Sequence, residues 1–419
     1  MNVTLRRVVV TGLGALTPIG NTTDEYWNAL INGVSGADFI KQFDPEKFKT
    51  RFACEVKDFN VEDHMDRKEA KRLDRFSQIA MAAANEAVAH AKLDDPSING
   101  DRVGVIWSSG IGGMITFIEE MKNFNAGDGT PRFNPFFIPK MILDIAAGHI
   151  SMKYGFRGPN FATVSACASS TNGMIDAFNY IRLGKADAFI TGGSESVVTV
   201  AGIGGFNAMK ALSERNDDPK TASRPFDLNR DGFVLGEGAG AIVLEELEHA
   251  KARGANIICE LVGGGMSADA YHLTAPHPEG LGVINVMNAA LEDAQMKPED
   301  IDYINVHGTS TPLGDIAEIT AIQKVFGEHA FNLNISSTKS MTGHLLGAAG
   351  AIEAVATILA VKNDVVPPTI NHSTIDPAFD PRLNLTLNKA QQRTINAAVS
   401  NTFGFGGHNA TVIFKKYEE

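Results

Sequence analysis

One cysteine of the chain stands where a buried strand is predicted to turn into a helix. Cys167 lies in the segment 164–170, after the apolar run 161–164 and before residues 174–181, whose apolar side chains fall on one face of a helix. Unpaired backbone N–H groups at a helix start favour a thiolate and can hold a developing oxyanion. The pattern therefore predicts a nucleophile. Taken alone, such a cysteine is more often a small buried hydrophobic residue.

Two histidines follow short apolar runs later in the chain. His307 begins the segment 307–315, and His344 follows residues 337–343 at the start of a helical pattern. One such histidine is more often a hydrogen-bonded structural residue. A thiolate, however, can take an acyl group as a thioester, and two imidazole N–H groups can stabilise an enolate formed on a second thioester. Together the three residues predict acyl transfer followed by carbon–carbon bond formation.

Two charged residues flank His344. Lys339 precedes it by five positions and Glu353 follows it by nine. If the two are buried together, they form an ion pair that holds the His344 loop and sets its local charge. Solvated surface charges are the alternative, and the spacing does not decide between them.

The elements that position these residues alternate as in α/β proteins. Short β-branched strands end in glycine-rich turns, with helices predicted over 73–92 and within 133–150, and residues 205–235 form an irregular insertion. Four segments of the first half recur in the same order in the second half. Segment 8–14 matches 257–265, and 103–106 matches 303–309. The Cys167 helix with its strand matches 343–366, and 238–244 matches 407–413. This pattern indicates an internal duplication, with halves at 1–255 and 256–419, that brings Cys167 and His344 together.

Composition excludes several functions. The chain of 419 residues is 44% hydrophobic and 21% charged, as in folded soluble proteins. No apolar run approaches 18 residues, so a membrane span is not expected. A net charge of −12 argues against nucleic-acid binding. Three cysteines without CxxC spacing indicate neither disulfides nor a cysteine zinc site. The N-terminus passes straight into a core strand, leaving no room for a signal peptide, so the cytoplasm is the expected location.

The segments around these residues resemble the motifs of β-ketoacyl-acyl-carrier-protein synthases, the condensing enzymes of fatty-acid and polyketide synthesis. Residues 158–170 are similar to the active-site signature, and residues 307–311, 339–344 and 401–407 to the other motifs. The likeness covers essentially the whole chain and is closest to the bacterial elongating members. It implies an α/β, thiolase-like fold of two duplicated halves in a five-layer αβαβα arrangement, assembled as a homodimer.

The resemblance also implies a role for each site residue. Cys167 accepts the acyl chain, His307 and His344 promote decarboxylation of the malonyl thioester, and Lys339 with Glu353 supports the His344 loop. The amides of Cys167 and Phe405 form the oxyanion hole, and Phe405 gates the acyl pocket. The remaining residues are substrate contacts (Ile111, Thr274, Thr309, Thr311, Phe403) and a supporting carboxylate (Asp315). His408 departs from the threonine of many relatives and is expected to pack normally.

The implied partner is an acidic acyl carrier protein, which brings the phosphopantetheine arm, so the chain needs no cofactor or metal of its own. Because the chain is acidic overall, docking needs a local basic patch. The candidates are two pairs at the start of the long helix and two residues of the irregular insertion: Arg67, Lys68, Lys71, Arg72, Lys210 and Arg215. A solvated helix face is the alternative.

Three other functions compete with fatty-acid elongation. A ketosynthase for polyketides would use the same residues with a different pocket. A catalytically silent partner of a heterodimer would not need Cys167, His307 and His344, so the presence of all three argues against this function. A Cys/His hydrolase would leave the second histidine and the duplication unexplained.

Overall fold

The apolar runs form one ten-stranded mixed sheet and two small two-stranded sheets in this computed structural model, which describes residues 4–418. Its strands are β1 (Val8–Leu16), β2 (Asp38–Phe39), β3 (Phe52–Ala53), β4 (Val103–Ser108), β5 (Asn160–Phe161), β6 (Ala188–Glu195), β7 (Gly238–Glu246), β8 (Cys259–Ala268), β9 (Tyr303–Asn305), β10 (Asn334–Ser336), β11 (Val365–Val366), β12 (Gln391–Gln392), β13 (Ala397–Gly404) and β14 (His408–Lys415).

The two halves of the large sheet have the same topology. From the centre outward the first half runs β1-β7-β6-β4-β5 and the second runs β8-β14-β13-β9-β10. In both, the outer three strands are parallel and the inner pairings antiparallel. Within the sheet, the described strands of the two halves pair through β1 and β8, in a short antiparallel stretch in which Val8 faces Leu261 and Val10 faces Cys259. The boundary between residues 255 and 256 stays a prediction.

Thirteen α-helices lie within the described residues. They are α1 (Thr23–Ile31), α2 (Arg67–Ala70), α3 (Arg75–Ala91), α4 (Met114–Ala126), α5 (Phe137–Met141), α6 (Ile145–Tyr154), α7 (Ser169–Arg182), α8 (Val200–Ala208), α9 (Leu247–Ala252), α10 (Leu281–Ala294), α11 (Pro312–Phe326), α12 (Lys339–Thr342) and α13 (Ala349–Asn363).

Helices and sheet halves alternate in five layers, which confirms the predicted αβαβα arrangement. The helices α7 and α13 contact strands of both halves and form the central layer, while α3 and α10 cover the outer faces. Close approach of the outer helices depends on glycines in the strands. A Cβ at Gly14 of β1 would lie 2.0 Å from the Ala83 carbonyl oxygen, and one at Gly265 of β8 would lie 2.3 Å from that of Val286. Separate apolar clusters fill the two outer interfaces and the centre.

One predicted correspondence between the halves is wrong. Val365–Val366 does not follow α13 as a sheet strand but pairs with Gln391–Gln392 in a separate two-stranded sheet. The position equivalent to β6 is filled by β13, the strand between β9 and β14. The β-branched dipeptide directly after α13 has the composition expected of the next sheet strand. Composition alone does not show that residues 364–396 are inserted before that strand, which is β13.

Three helix predictions need correction. The pattern over 133–150 is split into α5 and α6, and α8 lies partly inside the segment 205–235 that was predicted to be irregular. The basic pairs do not begin the long helix, because Asp66 caps α2 and Asp74 separately caps α3. Arg67 and Lys68 therefore lie in α2, and Lys71 and Arg72 follow it.

One helical window of the described residues is apolar enough on average to resemble a membrane span, although charged residues interrupt it. The window Leu346–Asn363 has a mean hydropathy of 1.3 over 18 residues, enough in length and composition to cross a membrane, but 89% of it is buried inside the protein. Most of this window is α13, which is covered on both sides by the sheet halves. Its apolar character is that of a helix in the central layer.

Candidate active site

The predicted nucleophile lies in a tight turn that the duplication repeats. Cys167 is the middle residue of the 3₁₀ turn Ala166–Ala168, immediately before α7, and the turn Leu346–Ala348 stands in the same place before α13. Both turns start with a non-glycine residue in the left-handed region, at φ +51° for Ala166 and +46° for Leu346. Such backbone costs on the order of 1–3 kcal/mol and persists where the surroundings impose it. Gly347 is therefore the counterpart of Cys167.

His344 reaches the thiol from the other half of the protein. Its Nε2 lies 3.0 Å from Sγ of Cys167. An isolated bridge to the segment 234–236 fixes the backbone, since the His344 amide donates to the Val234 carbonyl at 2.7 Å and the Gly236 amide donates to the His344 carbonyl at 2.9 Å. The predicted meeting of the two helix starts is thus present in the structure.

His307 faces His344 across the same space. It follows β9, and the two imidazole centroids lie 5.2 Å apart with the rings nearly perpendicular. The turn is held by Glu318 of α11, whose carboxylate accepts the amides of His307 at 2.9 Å and Gly308 at 2.8 Å. Sequence reasoning missed Glu318, although it shares the buried face of α11 with Asp315.

Lys339 and Glu353 form a hydrogen-bonded ion pair with both side chains almost fully buried. Burial raises the pKa of Glu353 to about 7, with Lys339 acting in the opposite direction. The alternative of two solvated surface charges is therefore excluded. The positive charge of Lys339 lies behind the site, and it therefore acts on the ionisable groups that line the site.

The reacting groups are neutral in the unliganded site. Burial raises the pKa of the Cys167 thiol to about 12, although Lys339 and a hydrogen bond from the Phe405 amide act to lower it. The thiolate expected from the helix start is therefore not the resting form. Burial and the charge of Lys339 hold the pKa of His344 well below its usual value, and burial, Lys339 and His344 do the same for His307. A neutral imidazole beside a neutral thiol can accept its proton.

One backbone amide reaches the Cys167 sulfur, and the loop that carries it packs closely on the Cys167 backbone. The Phe405 amide approaches Cys167, and a Cβ at Gly404 would lie 3.0 Å from the Cys167 nitrogen. Gly406 and Gly407 follow at φ +89° and +75°, so a tight turn carries the half-buried Phe405 ring. His408 is exposed and its imidazole lies against Gly406, where a Cβ would come within 2.9 Å of Nε2. It therefore packs on the turn without entering the site.

A cavity of about 640 Å³ opens from the thiol to the surface. Its lining includes all the predicted substrate contacts and the three reacting residues: Ile111, Thr274, Thr309, Thr311, Phe403, Phe405, Cys167, His307 and His344. The Phe403 ring also packs on that of His307, with centroids 5.6 Å apart. The Oγ1 atoms of Thr309 and Thr311 are 3.1 Å apart on one wall, so both can face a single polar chain.

A strained serine places these two threonines on the same wall. Ser310 has φ +67°, and each of its polar groups is held. Its amide donates to Asp315 at 3.1 Å, its hydroxyl accepts the Arg224 amide at 3.0 Å, and its carbonyl accepts the Gly232 amide at 3.1 Å. Asp315 thus has the supporting position expected of it, and burial raises its pKa to about 6.

Arg230 extends this support, and nothing in the sequence singled it out. It is buried, its Nη2 donates to the Pro312 carbonyl at 3.0 Å, and its Nη1 lies 2.6 Å from Asp376. Residues 224–232 belong to the segment that looked like an irregular insertion. Long-range contacts of this kind have no periodic signal in the sequence.

The predicted basic patch is only partly assembled around the cavity. Lys210 is exposed at its mouth, whereas Arg67, Lys68, Lys71 and Arg72 are exposed but do not line it. Arg215 is half-buried and donates weakly to the Asn229 carbonyl at 3.4 Å. Among residues 4–418 no cluster of three or more His, Cys, Asp or Glu side chains is arranged to hold a metal ion.

A duplicated five-layer fold with a thiol and two imidazoles at the junction of its halves defines a condensing enzyme of the thiolase type. Two family models match the chain: Beta-ketoacyl synthase, N-terminal domain, over residues 5–250, and Beta-ketoacyl synthase, C-terminal domain, over residues 258–373. The chain belongs to the β-ketoacyl synthase family, whose members are acyl-transferring enzymes.

Curated relatives match over the full length. The chain is 52% identical to 3-oxoacyl-(acyl-carrier-protein) synthase 2 of Staphylococcus aureus over 413 residues, which covers 99% of both chains. It is 49% identical to the Synechocystis enzyme of the same name over 417 residues, covering all of both. A solved β-ketoacyl synthase from Burkholderia phymatum has a TM-score of 0.91 at 36% identity and covers 99% of this chain and all of that one.

A second solved structure shows a related ketosynthase with a partner. It is a type II polyketide ketosynthase, bound to a hexaketide, in complex with its acyl carrier protein. Its TM-score is 0.89 at 35% identity, with 99% of this chain and all of that chain covered.

Proposed function

We propose that this protein is a 3-oxoacyl-acyl-carrier-protein synthase of fatty-acid elongation. It transfers an acyl chain to Cys167 and condenses it with malonyl-acyl-carrier-protein, releasing carbon dioxide. The observation that carries the proposal is the 3.0 Å contact between Cys167 Sγ and His344 Nε2, with His307 facing the same space. Full-length identity of 49–52% to curated enzymes of that activity supports it.

The first half-reaction is an acyl transfer between two sulfurs. His344 Nε2 accepts the thiol proton as Sγ attacks the thioester carbonyl carbon, and the amides of Cys167 and Phe405 hold the oxyanion. Collapse breaks the bond to the phosphopantetheine sulfur, which leaves with the proton from His344. Because burial opposes a free thiolate at Cys167, the proton transfer and the attack are coupled.

The second half-reaction forms the carbon–carbon bond. The malonyl thioester loses its carboxylate as carbon dioxide, and the electron pair of that bond becomes the enolate. N–H groups of His307 and His344 hold the enolate oxygen. His344 returned the thiol proton to the leaving sulfur, so the neutral ring must first move its remaining proton from Nδ1 to Nε2 by exchange with solvent. The enolate carbon attacks the acyl-Cys167 carbonyl, and the bond to Sγ breaks to give the 3-oxoacyl product. The Cys167 thiolate that leaves takes up one proton from solvent, which restores the neutral thiol for the next cycle. The low pKa values of both histidines support this role, because a neutral imidazole supplies a hydrogen bond without protonating the enolate outright.

The phosphopantetheine arm arrives on the acyl carrier protein, so the chain carries no cofactor in this scheme. Thr309, Thr311 and Thr274, which line the cavity, are the proposed contacts for the arm. Lys210 at the mouth, with Arg215 and the basic residues Arg67, Lys68, Lys71 and Arg72, is the proposed docking patch. A related ketosynthase in complex with its acyl carrier protein supports this choice of partner.

We also propose a cytoplasmic homodimer. The α4–α5 region leaves aromatic rings stacked on one another at the surface, with the centroids of Phe133 and Phe137 5.4 Å apart and those of Phe124 and Phe133 5.5 Å apart. Among the thirteen residues of α4 only Thr116 is buried. Such an apolar face is typical of a protein–protein interface. Free buried cysteines at 54, 167 and 259 suit a reducing compartment.

The test is condensation of labelled malonyl-acyl-carrier-protein with acyl primers of graded length. The expected result is 3-oxoacyl product and carbon dioxide from saturated primers of several lengths. Condensation confined to polyketide-like primers would favour the polyketide ketosynthase instead. No condensation with any primer would favour the catalytically silent partner, and release of free acid from acyl primers alone would favour the hydrolase.

A further inference from the structure

Glu195, the last residue of β6, is a buried carboxylate that the proposed reaction does not use. Both of its oxygens are fully engaged by donors from two different turns. Oε1 accepts the Ser109 hydroxyl at 2.9 Å and the Ile111 amide at 3.1 Å. Oε2 accepts the Gly110 amide at 2.7 Å and the Gly347 amide at 2.9 Å. Four donors around one carboxylate form a strong, geometrically fixed junction.

The two turns come from different halves of the protein and are in direct contact. A Cβ at Gly347 would lie 2.2 Å from the Gly110 nitrogen, and one at Gly110 would lie 2.8 Å from Oε2 of Glu195. No side chain fits between them. The carboxylate therefore sets how closely the turn 109–111 and the turn Leu346–Ala348 approach each other.

Each turn carries one apolar side chain of the cavity wall. Ile111 follows Gly110, and Leu346 precedes Gly347. Both line the cavity beside Cys167 and belong to the apolar cluster that contains it. Phe206 packs against the same cluster and also lines the cavity, so the cavity wall beside Ile111 and Leu346 is apolar.

We propose that Glu195 is a positioning residue that sets the width of the acyl channel by joining the Ile111 turn to the Leu346 turn. It thereby determines how long an acyl chain Cys167 accepts. The proposal rests on the proposed function and refines it. Glu195 touches no reacting atom and acts through Ile111 and Leu346.

The test is Glu195→Gln, which keeps the volume but replaces one accepting oxygen by a donating NH₂ group. At least one backbone amide then faces a donor, and the two turns separate. Acylation of Cys167 is followed by intact-mass measurement, using acyl donors of short and long chain length. We expect the long-to-short ratio of kcat/KM to change by about tenfold, the equivalent of one hydrogen bond to a charged group. Decarboxylation of the malonyl thioester, which does not use the acyl channel, should stay within about twofold.

The matched control is Glu86→Gln. Glu86 also accepts two backbone amides, from Ala15 at 2.8 Å and Thr23 at 2.7 Å, but does not line the cavity. It should lose stability without changing the chain-length ratio. Ser109→Ala removes only the hydroxyl donor to Glu195, and it replaces Glu195→Gln as the test variant if Glu195→Gln does not fold. It should shift the ratio in the same direction by less.

Three results would overturn the proposal. The long-to-short ratio of kcat/KM could stay unchanged in both Glu195→Gln and Ser109→Ala. Acylation at all chain lengths and decarboxylation could fall equally, or Glu86→Gln could show the same shift in the ratio. Failure of the proposed function is distinguishable from these. It would appear in the wild-type protein, as Cys167 that takes no acyl group from any donor.

Discussion

At the scale of single residues, the site combines a thiol and two imidazoles whose pKa values favour the neutral forms in the unliganded protein. Cys167, His307 and His344 are buried, and burial is the largest influence on the pKa of each. The thiol and the imidazoles therefore depend on one another for proton movement, while Lys339 provides the fixed charge behind them. In the proposed reaction the sulfur holds the acyl group and the imidazoles act on the malonyl group.

Cys167→Ala should separate the two half-reactions. Without the sulfur no acyl-enzyme forms, so condensation should fall by at least about 10³-fold, as for removal of other catalytic nucleophiles. Decarboxylation of malonyl-acyl-carrier-protein should remain measurable, because His307 and His344 are intact. Carbon dioxide release and product formation are measured in parallel. If His307→Ala and His344→Ala both kept wild-type decarboxylation, the assignment of roles would be wrong.

Lys339→Met should move the acid limb of the decarboxylation pH profile to higher pH. The charge of Lys339 lowers the pKa of both histidines, so its removal lets them protonate at a higher pH and lose the neutral form. The profile is measured with malonyl-acyl-carrier-protein from acid to neutral pH. Glu353→Gln keeps the lysine charge and is the control, and its acid limb should not move upward. An upward shift in the control, or no shift in Lys339→Met, contradicts the argument.

At the scale of elements, the sequence predicted best what repeats or alternates. Strands β1, β4, β7, β8, β9 and β14 carry patterns that can be matched between the halves, and Cys167, His307 and His344 stand at their ends or at helix starts. Lys339, Glu353 and Asp315 were predicted as supporting residues, but three others that support the site were missed. Glu195, Glu318 and Arg230 act on backbone amides or carbonyls from distant segments, and a carboxylate that binds a backbone amide leaves no mark on the sequence around that amide.

Arg230→Ala should weaken binding of the carrier arm more than it slows the chemistry. Arg230 supports the Pro312 carbonyl and pairs with Asp376, and its loss frees the turn that holds Thr309 and Thr311. We expect KM for malonyl-acyl-carrier-protein to rise severalfold with kcat within about twofold, and the free energy of unfolding to fall by about 3 kcal/mol for a broken buried pair.

The control is Arg157→Ala, which breaks an exposed pair with Asp101. Its KM should be unchanged and its free energy of unfolding should fall by less than about 1 kcal/mol. Steady-state kinetics and denaturant titration give both readings. A fall in kcat without a rise in KM for Arg230→Ala would show that the turn positions the reaction and not the arm.

At the scale of the whole molecule, the stacked rings of α4 and α5 stay largely exposed on the surface formed by the described residues 4–418. Phe133→Glu should place a charge among stacked rings and shift the proposed dimer toward monomer. Sedimentation velocity over a range of concentrations measures the shift. Ile375→Glu is the control, because Ile375 is 75% exposed and lies outside this region. If both variants remained dimeric, the interface would lie elsewhere on the protein. A monomeric wild-type protein would refute the proposed dimer.

The pairing of Cys167 with Gly347 fixes the stoichiometry of the enzyme. The duplication offers two equivalent turns, yet the second admits no side chain, since a Cβ at Gly347 would lie 2.2 Å from the Gly110 nitrogen. Cys54 and Cys259 are buried and do not line the cavity. Saturating acylation should therefore add one acyl group per chain by intact mass, and a second group in the native protein would contradict this. Under the proposed function, two structural halves share a single covalent attachment point.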